Sequence, residues 1–305
     1  MAAGWKRIVE RGLVVAGVDR LAGRRVAPSG VILAYHNVVP HGEPTAGDLS
    51  LHLEQRRFAD QLDLLLESHD VVSLDELVDT DWDEVSRPRA ALTFDDAYEG
   101  ALTAGIDELT RRGLPGTIMV APGILGGPTW WDRLAPKGGG ALPRELRDHC
   151  LVELRGRNEE ILTWARGEGL DLGELPPHAL PAPEARVLEA GRRPGISLAA
   201  HTWGHPNLAR HSPEECLVEY TRCREWLGER EVQYSDWLAY PYGLYSRDAA
   251  ELARTRFRGG LRVEGGLAWT KGRVTSSQGL LPRVNVPRGM SLAGLRLRLS
   301  SVLSA

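Results

Sequence analysis

The sequence predicts an α/β fold in which strands alternate with helices around a barrel, interrupted by a helical insertion. Three observations lead there. Short apolar runs recur along the chain, separated by segments that open on helix caps. Three polar motifs each stand directly after one of these runs, where a β/α barrel builds its site. From Pro122 to Pro194 the alternation stops, over a stretch too long for an ordinary barrel loop. With 305 residues and 42% hydrophobic content, the chain can form one large barrel or two ordinary domains.

The elements follow in order. Trp5, Ile8, Val9, Leu13, Ala16 and Val18 form a helical stripe among Lys6, Arg7, Arg11, Arg20, Arg24 and Arg25, so residues 1–28 read as an amphipathic helix. Two roles stand open for it: packing on the barrel, or lying at an interface against anionic lipid or a membrane-bound partner. The apolar run Leu13–Val18 is far too short to span a bilayer, and no cleavable h-region is evident. The expectation is a cytoplasmic protein, with peripheral membrane contact left open. Val31–His36 reads as the first barrel strand, followed by a loop and a helix from about Leu53 to Ser68. Asp70–Val72 is a short strand, and Ser73 with Glu76 forms a capping box for a short helix. Ala90–Phe94 is apolar without alternation, as expected of a strand buried on both faces. A helix then stops at Gly113, and Thr117–Ala121 is the next strand. The insertion, 122–194, carries Trp130-Trp131, the glycine run Gly138–Gly140, a helical segment around Arg144–Ala165 and prolines Pro176, Pro177, Pro181 and Pro183. Ile196–Ala200 resumes the rhythm. Ser212-Pro213-Glu214-Glu215 opens a helix to about Leu227, Trp237–Tyr240 is a strand, and Ser246 caps a helix through Phe257. Strands near Leu261–Val263 and Arg283–Val286 complete the set, and 291–305 forms a C-terminal tail helix.

The chemistry lies at the strand ends. Thr93-Phe94-Asp95-Asp96 closes an apolar run with two carboxylates, which cannot both sit unpaired in a core. Either they face a cleft, one holding a cation and the other moving protons, or they cap a helix starting near Ala97. His201-Thr202-Trp203-Gly204-His205 follows Ile196–Ala200, and its histidines meet on one face if the segment turns helically. Two imidazoles and a carboxylate suit zinc or a similar ion, although histidines at this spacing are also common on exposed helices. Tyr240-Pro241-Tyr242-Gly243 is a turn that can aim an N–H into a cleft, or simply a turn. Cys150, Cys216 and Cys223 are too few and too odd in number for a disulfide scaffold, and Cys216 and Cys223 fall on a helix where packing explains them. A formal charge of −4 argues against a general nucleic-acid binder.

In order and spacing the three motifs resemble those of the NodB-homology polysaccharide deacetylases, carbohydrate esterase family 4. That family carries T-F-D-D, H-[ST]-x-x-H and R-x-P-[FY]-G on successive strand ends of a distorted (β/α) barrel. The first two match in full. In the third, Pro241-Tyr242-Gly243 fits, and Ala239 stands where many members have arginine. Tyr35-His36-Asn37-Val38 matches the Y-H-x-V opening of one branch. Gln61–Leu65, Val72–Leu77 and Leu281–Val286 extend the likeness, so the deacetylase domain is placed at 29–290.

The resemblance implies a metal-dependent hydrolase that removes an N-acetyl or other N-acyl group from an amino sugar in a polysaccharide or glycan precursor. Asp96, His201 and His205 are the implied ligands of one divalent ion. Zinc is expected, with Co2+, Ni2+ or Mn2+ as alternatives. Asp95 is the implied general base, and the Tyr242 backbone N–H the implied oxyanion donor. No D-x-x-D-W motif is evident, and no L-x-H motif, which supplies the family's general acid. His36, at a strand end facing the same cleft, is the candidate in its place. Arg283 is a candidate to orient Asp95, and it is grouped with Pro241, Trp130 and Trp131 as a candidate substrate contact. The two tryptophans either stack on sugar rings or anchor the insertion. An amidase or deformylase of the same fold and a non-catalytic carbohydrate-binding relative are the alternatives. Intact Asp95, Asp96, His201 and His205 argue against the latter.

Overall fold

Alternate residues of the apolar runs point to opposite sides of a curved parallel sheet, and both sides are buried. In the computed structural model, which describes residues 2–17, 29–137, 139–263, 266–270, 273–274 and 279–300, the strands are β1 (Ser29–Tyr35), β2 (Asn37–Val39), β3 (His52–Glu54), β4 (Asp70–Val71), β5 (Arg89–Phe94), β6 (Gly116–Val120), β7 (Ile196–Ala200), β8 (Tyr234–Ala239), β9 (Gly259–Arg262), β10 (Trp269–Thr270), β11 (Arg273–Val274), β12 (Leu280–Pro282) and β13 (Val284–Asn285). The order β1-β5-β6-β7-β8-β9-β12 is parallel throughout, and β13 pairs in parallel with β1. A single residue, Arg283, separates β12 from β13. The segment Leu280–Asn285 therefore clasps β9 on one side and β1 on the other, closing the ring.

The period of two explains the core. Ile32, Ala91, Met119, Ala199, Trp237, Ala239, Leu261 and Leu281 fill the barrel interior. Val31, Leu33, Leu92, Phe94, Ile118, Val120 and Leu198 face outward under the helices. At the amino ends of the strands the interior is closed by Leu74 and Leu77 and by Trp82 stacked on Trp269 at 5.8 Å. The opposite, carboxyl end stays open.

Caps behave as the sequence predicts at Ser73 and Ser212, both reciprocal capping boxes, and Gly113 ends its helix in the left-handed conformation. Other boundaries move. The helical segment expected over Arg144–Ala165 is two helices, Arg144–Val152 and Asn158–Gly167, broken where Arg155 and Gly156 adopt positive φ. The Ser246-capped helix ends at Ala253 rather than Phe257. The antiparallel pair β10–β11 is not among the elements the sequence predicts. Trp130, Trp131, Cys150, Ile161 and Leu162 give the insertion a core of its own. The helix Glu184–Gly191, by contrast, places Val187 and Ala190 in the main core beside β7.

The N-terminal helix spans Ala2–Val15 and packs against the C-terminal helix Leu292–Leu299. Buried Glu10 accepts a 2.6 Å hydrogen bond from the Ser291 hydroxyl there. Trp5, Ile8 and Val15 on its other side are exposed. Val18, Arg20, Arg24, Arg25, Gly138 and the end of the tail helix expected over 291–305 lie outside the described residues. Among the described residues, no helix is long and apolar enough to cross a membrane. Cys150, Cys216 and Cys223 are buried free thiols.

Candidate metal and hydrolytic site

A cleft opens at the carboxyl ends of the barrel strands, and the strand ends themselves build its floor. His36 follows β1, Asp95 follows β5, His201 follows β7, Tyr240 follows β8, Val263 follows β9, and Asn285 ends β13; all six line it. The register Tyr35↔Phe94 sets His36 beside Asp95, and the Asp95 amide donates to the Tyr35 carbonyl at 2.9 Å.

Backbone conformation marks the same place. Among the described residues, six non-glycine residues have positive φ; four of them, Asp96, Thr202, His205 and Tyr242, belong to the three motifs, and Ala97 directly follows the first. These bends correct one expectation. The two histidines do not meet on a helix: Thr202 and His205 are left-handed, and no helix is assigned over residues 201–207. The loop is held from outside by Glu219, on the helix Pro213–Gly228, whose carboxylate accepts the Trp203 amide at 2.9 Å and the Gly204 amide at 2.7 Å. The Tyr242–Gly243 turn has two consecutive positive φ values. A side chain at Gly243 would meet Val263 Cγ2 at 2.3 Å, so glycine is required there on both counts.

Asp96, His201 and His205 converge. Asp96 Oδ1 lies 3.1 Å from His205 Nε2 and 3.5 Å from His201 Nε2, and the two Nε2 atoms are 3.1 Å apart. His201 Nδ1 donates to the Ala239 carbonyl at 2.8 Å, which fixes the tautomer that leaves the Nε2 lone pair facing its neighbours. Asp96 Oδ1 is buried with no hydrogen-bond partner, an arrangement costly without a cation. These residues fit a divalent ion: one carboxylate oxygen and two imidazole nitrogens, all buried and within 4.8 Å of one another. Burial pushes the Asp96 pKa up to about 6, aided by Asp95 and opposed by His201 and His36. Burial pushes His205 down to about 3, so its ring is neutral at ordinary pH.

Asp95 has a different fate from its neighbour. Burial alone would raise its pKa. The Arg283 guanidinium more than offsets this, holding the carboxyl well below the usual carboxylate range. The pair is bidentate, Nη1–Oδ1 2.6 Å and Nη2–Oδ2 2.8 Å, with a further bond from Arg283 to Thr93 Oγ1 at 3.1 Å. Neither carboxylate accepts a helix amide among the described residues, so the helix-cap reading of Asp95 and Asp96 fails.

The predicted substrate contacts divide. Trp131 lines the cleft: its ring lies 4.7 Å from the His205 ring, and its indole N–H donates to Tyr98 Oη at 2.8 Å. Trp130, Pro241 and Arg283 are buried outside the cleft lining. Trp130 donates to Tyr242 Oη at 2.8 Å and sits in the insertion's core, so it anchors the insertion. Arg283 reaches Asp95 from within the barrel and has no open face to offer a sugar. Sequence reasoning missed Asp48 and Ser50, from the loop between β2 and β3, and Arg147, from the insertion; all three line the cleft. It also missed Asp132, a buried acid that accepts from Tyr98 Oη at 2.6 Å and pairs with His52 at 2.9 Å.

The family model for polysaccharide deacetylase matches residues 83–256. No curated protein matches by sequence. Solved structures that superpose include Streptococcus pyogenes deacetylase PplD in complex with acetate, 20% identical, TM-score 0.58, covering 88% of this chain and 96% of that one. A de-N-acetylase from Aggregatibacter actinomycetemcomitans is 13% identical, TM-score 0.61, covering 88% and 99%. IcaB from Ammonifex degensii is 18% identical, TM-score 0.51, covering 92% and 99%.

Proposed function

The chain belongs to the polysaccharide deacetylase family, and from that premise we propose that it hydrolyses the N-acetyl, or another N-acyl, group of an amino sugar in a polysaccharide or glycan precursor. The observation that carries the proposal is the pairing of two unlike acids at one strand end: Asp96 turned toward two histidines, Asp95 held ionised beside it. Asp96, His201 and His205 would hold the divalent ion, zinc being the first expectation. Bound there, such an ion supplies a lowered pKa for water and polarisation of the acyl oxygen. Asp95 takes the proton from the attacking water; its pairing with Arg283 keeps it ionised to do so. The Tyr242 N–H, presented by its left-handed turn, is assigned to the developing oxyanion. As the C–N bond breaks, the nitrogen needs a proton. Burial pushes His36 down despite the raising influence of Asp95 and Asp96, so its ring carries no spare proton at neutral pH. Of the two routes, His36 as acid and return of the proton from Asp95 to the departing amine, this favours the second. Asp95, so strongly paired with Arg283, holds that proton weakly. Trp131 shields one side of the His205 ring from water.

Metal content and acetate release measured together test this. Wild type should bind one ion per chain and release acetate from N-acetylated sugars, and His205→Ala should lose both. An ion-free wild type, or acetate release that survives in His205→Ala, refutes the proposal.

A further inference from the structure

The cleft holds one lysine or arginine among its described lining residues: Arg147, from the insertion helix Arg144–Val152. Its guanidinium has no carboxylate within ion-pair distance and no hydrogen-bond acceptor among the described residues. Two other cleft acids are already engaged. Asp95 is spent on Arg283, and Asp48 Oδ1 accepts the Ser50 amide at 3.0 Å and its hydroxyl at 2.7 Å. Asp96 faces the histidines.

The helix that carries Arg147 is well anchored. Cys150 and Leu151, one turn further along its helix, sit in the insertion's core with Trp130 and Trp131. Asn207, just past the histidine loop, donates from Nδ2 to the Leu151 carbonyl at 2.8 Å, and the Gly156 amide donates to Cys150 at 2.9 Å. The helix is thus tied to the loop that carries His205, and the Arg147 charge is felt at the Tyr242 hydroxyl. A half-buried guanidinium that lines a cleft from an anchored helix and lacks an anion is arranged to receive one.

We propose that Arg147 forms an anion subsite that seats a carboxylate or phosphate substituent of the acylated amino sugar, by paired N–H···O bonds. This rests on the hydrolase reading above and narrows its substrate to an anionic one. A neutral polymer would offer the guanidinium uncharged acceptors only, and no counter-charge.

Calorimetry on the full chain tests it with three probes: N-acetylglucosamine, N-acetylglucosamine 1-phosphate and N-acetylmuramic acid. Wild type should bind at least one anionic sugar roughly tenfold or more tighter than the neutral one, as expected for charge-assisted bonds. That contrast should collapse in Arg147→Gln. It should survive in Arg144→Gln, which removes an exposed charge of the same helix and controls for long-range attraction. The phosphate and carboxylate arms show which anion is seated, and either supports the subsite. Equal affinities in wild type, no measurable binding of any probe, or a contrast that persists in Arg147→Gln overturns it. Because binding is read directly, the two proposals fail separately. Contrast without acetate release removes the hydrolase reading, and acetate release without contrast removes the subsite.

Discussion

Replacing Arg283 with methionine should damage this protein in a pH-dependent way that reports on Asp95. The guanidinium is fully buried and Asp95 nearly so, with two contacts of 2.6 and 2.8 Å between them. Breaking a buried pair by removing one partner costs about 3–5 kcal/mol, because the remaining charge is left uncompensated. In wild type the folded-state pKa of Asp95 lies below its unfolded value of about 3.9, so its contribution is complete above that pH and is lost only as pH falls through the folded value. Without Arg283 the burial contribution dominates and the folded pKa rises above the unfolded one. The sign then reverses: the variant folds best with Asp95 protonated, and it loses stability as pH rises above the unfolded value of about 3.9 toward the raised folded one. Urea unfolding at pH 5 and pH 8 of wild type, Arg283→Met, Asp95→Asn and the double variant measures this. We expect Arg283→Met to be weakened by about 3–5 kcal/mol at pH 8 and by less at pH 5, with Asp95→Asn restoring much of the loss. A variant within about 1 kcal/mol of wild type at pH 8, with no coupling in the cycle, would show that the pair does not govern the Asp95 charge.

Two further outcomes are expected. Ion affinity should fall about tenfold per pH unit below about 6, because Asp96, raised to about 6 by burial, must lose its proton to ligate while His205, pushed down to about 3, is already neutral. Competition titrations from pH 5 to 7 giving a slope of two or three protons per ion would contradict this protonation order. Glu219→Gln should lower ion affinity by roughly 10–100-fold while the protein stays folded, since the carboxylate holds the Trp203 and Gly204 amides of the histidine loop; unchanged affinity would assign Glu219 a purely structural role.

The parts of the site legible in the sequence are those whose signal is local. Thr93–Asp96, His201–His205 and Pro241–Gly243 stand at strand ends because each directly follows an apolar run, and the capping boxes at Ser73 and Ser212 depend only on residues three apart. What escaped depends on distance in sequence. Arg283 is the exception: with Ala239 in the usual arginine position, it already stands as the candidate to orient Asp95, which it meets across 188 residues. Asp48 and Ser50 enter the cleft from a loop, where no hydrophobic period fixes side-chain direction, and Arg147 from an insertion helix whose place over the barrel no local pattern gives. The helical turn expected for His201–His205 followed from spacing alone. The left-handed φ of Thr202 and His205 flanks the Trp203 and Gly204 amides that Glu219 holds from a distant helix, a contact that spacing cannot encode.

The divergence of Asp95 and Asp96 follows from how the barrel closes. Two adjacent, equally buried carboxyls would ordinarily compete for charge, and both would drift toward neutrality. Here the closing segment breaks at one residue between β12 and β13, and that residue's guanidinium points inward to neutralise Asp95 alone. Asp96 bends away at φ 67°, toward His201 and His205. Such a conformation costs about 1–3 kcal/mol for a residue with a side chain. Capping a helix would not require it, and among the described residues no helix amide bonds to either acid. A cation between Asp96, His201 and His205 would offset both the bend and the buried, unpartnered Oδ1. Ion binding should therefore raise the unfolding temperature of wild type, and it should do so far less in Asp96→Asn, where the bend persists with no carboxylate to use it. An equal rise in both proteins would place the ion elsewhere and leave the strain at Asp96 without a purpose.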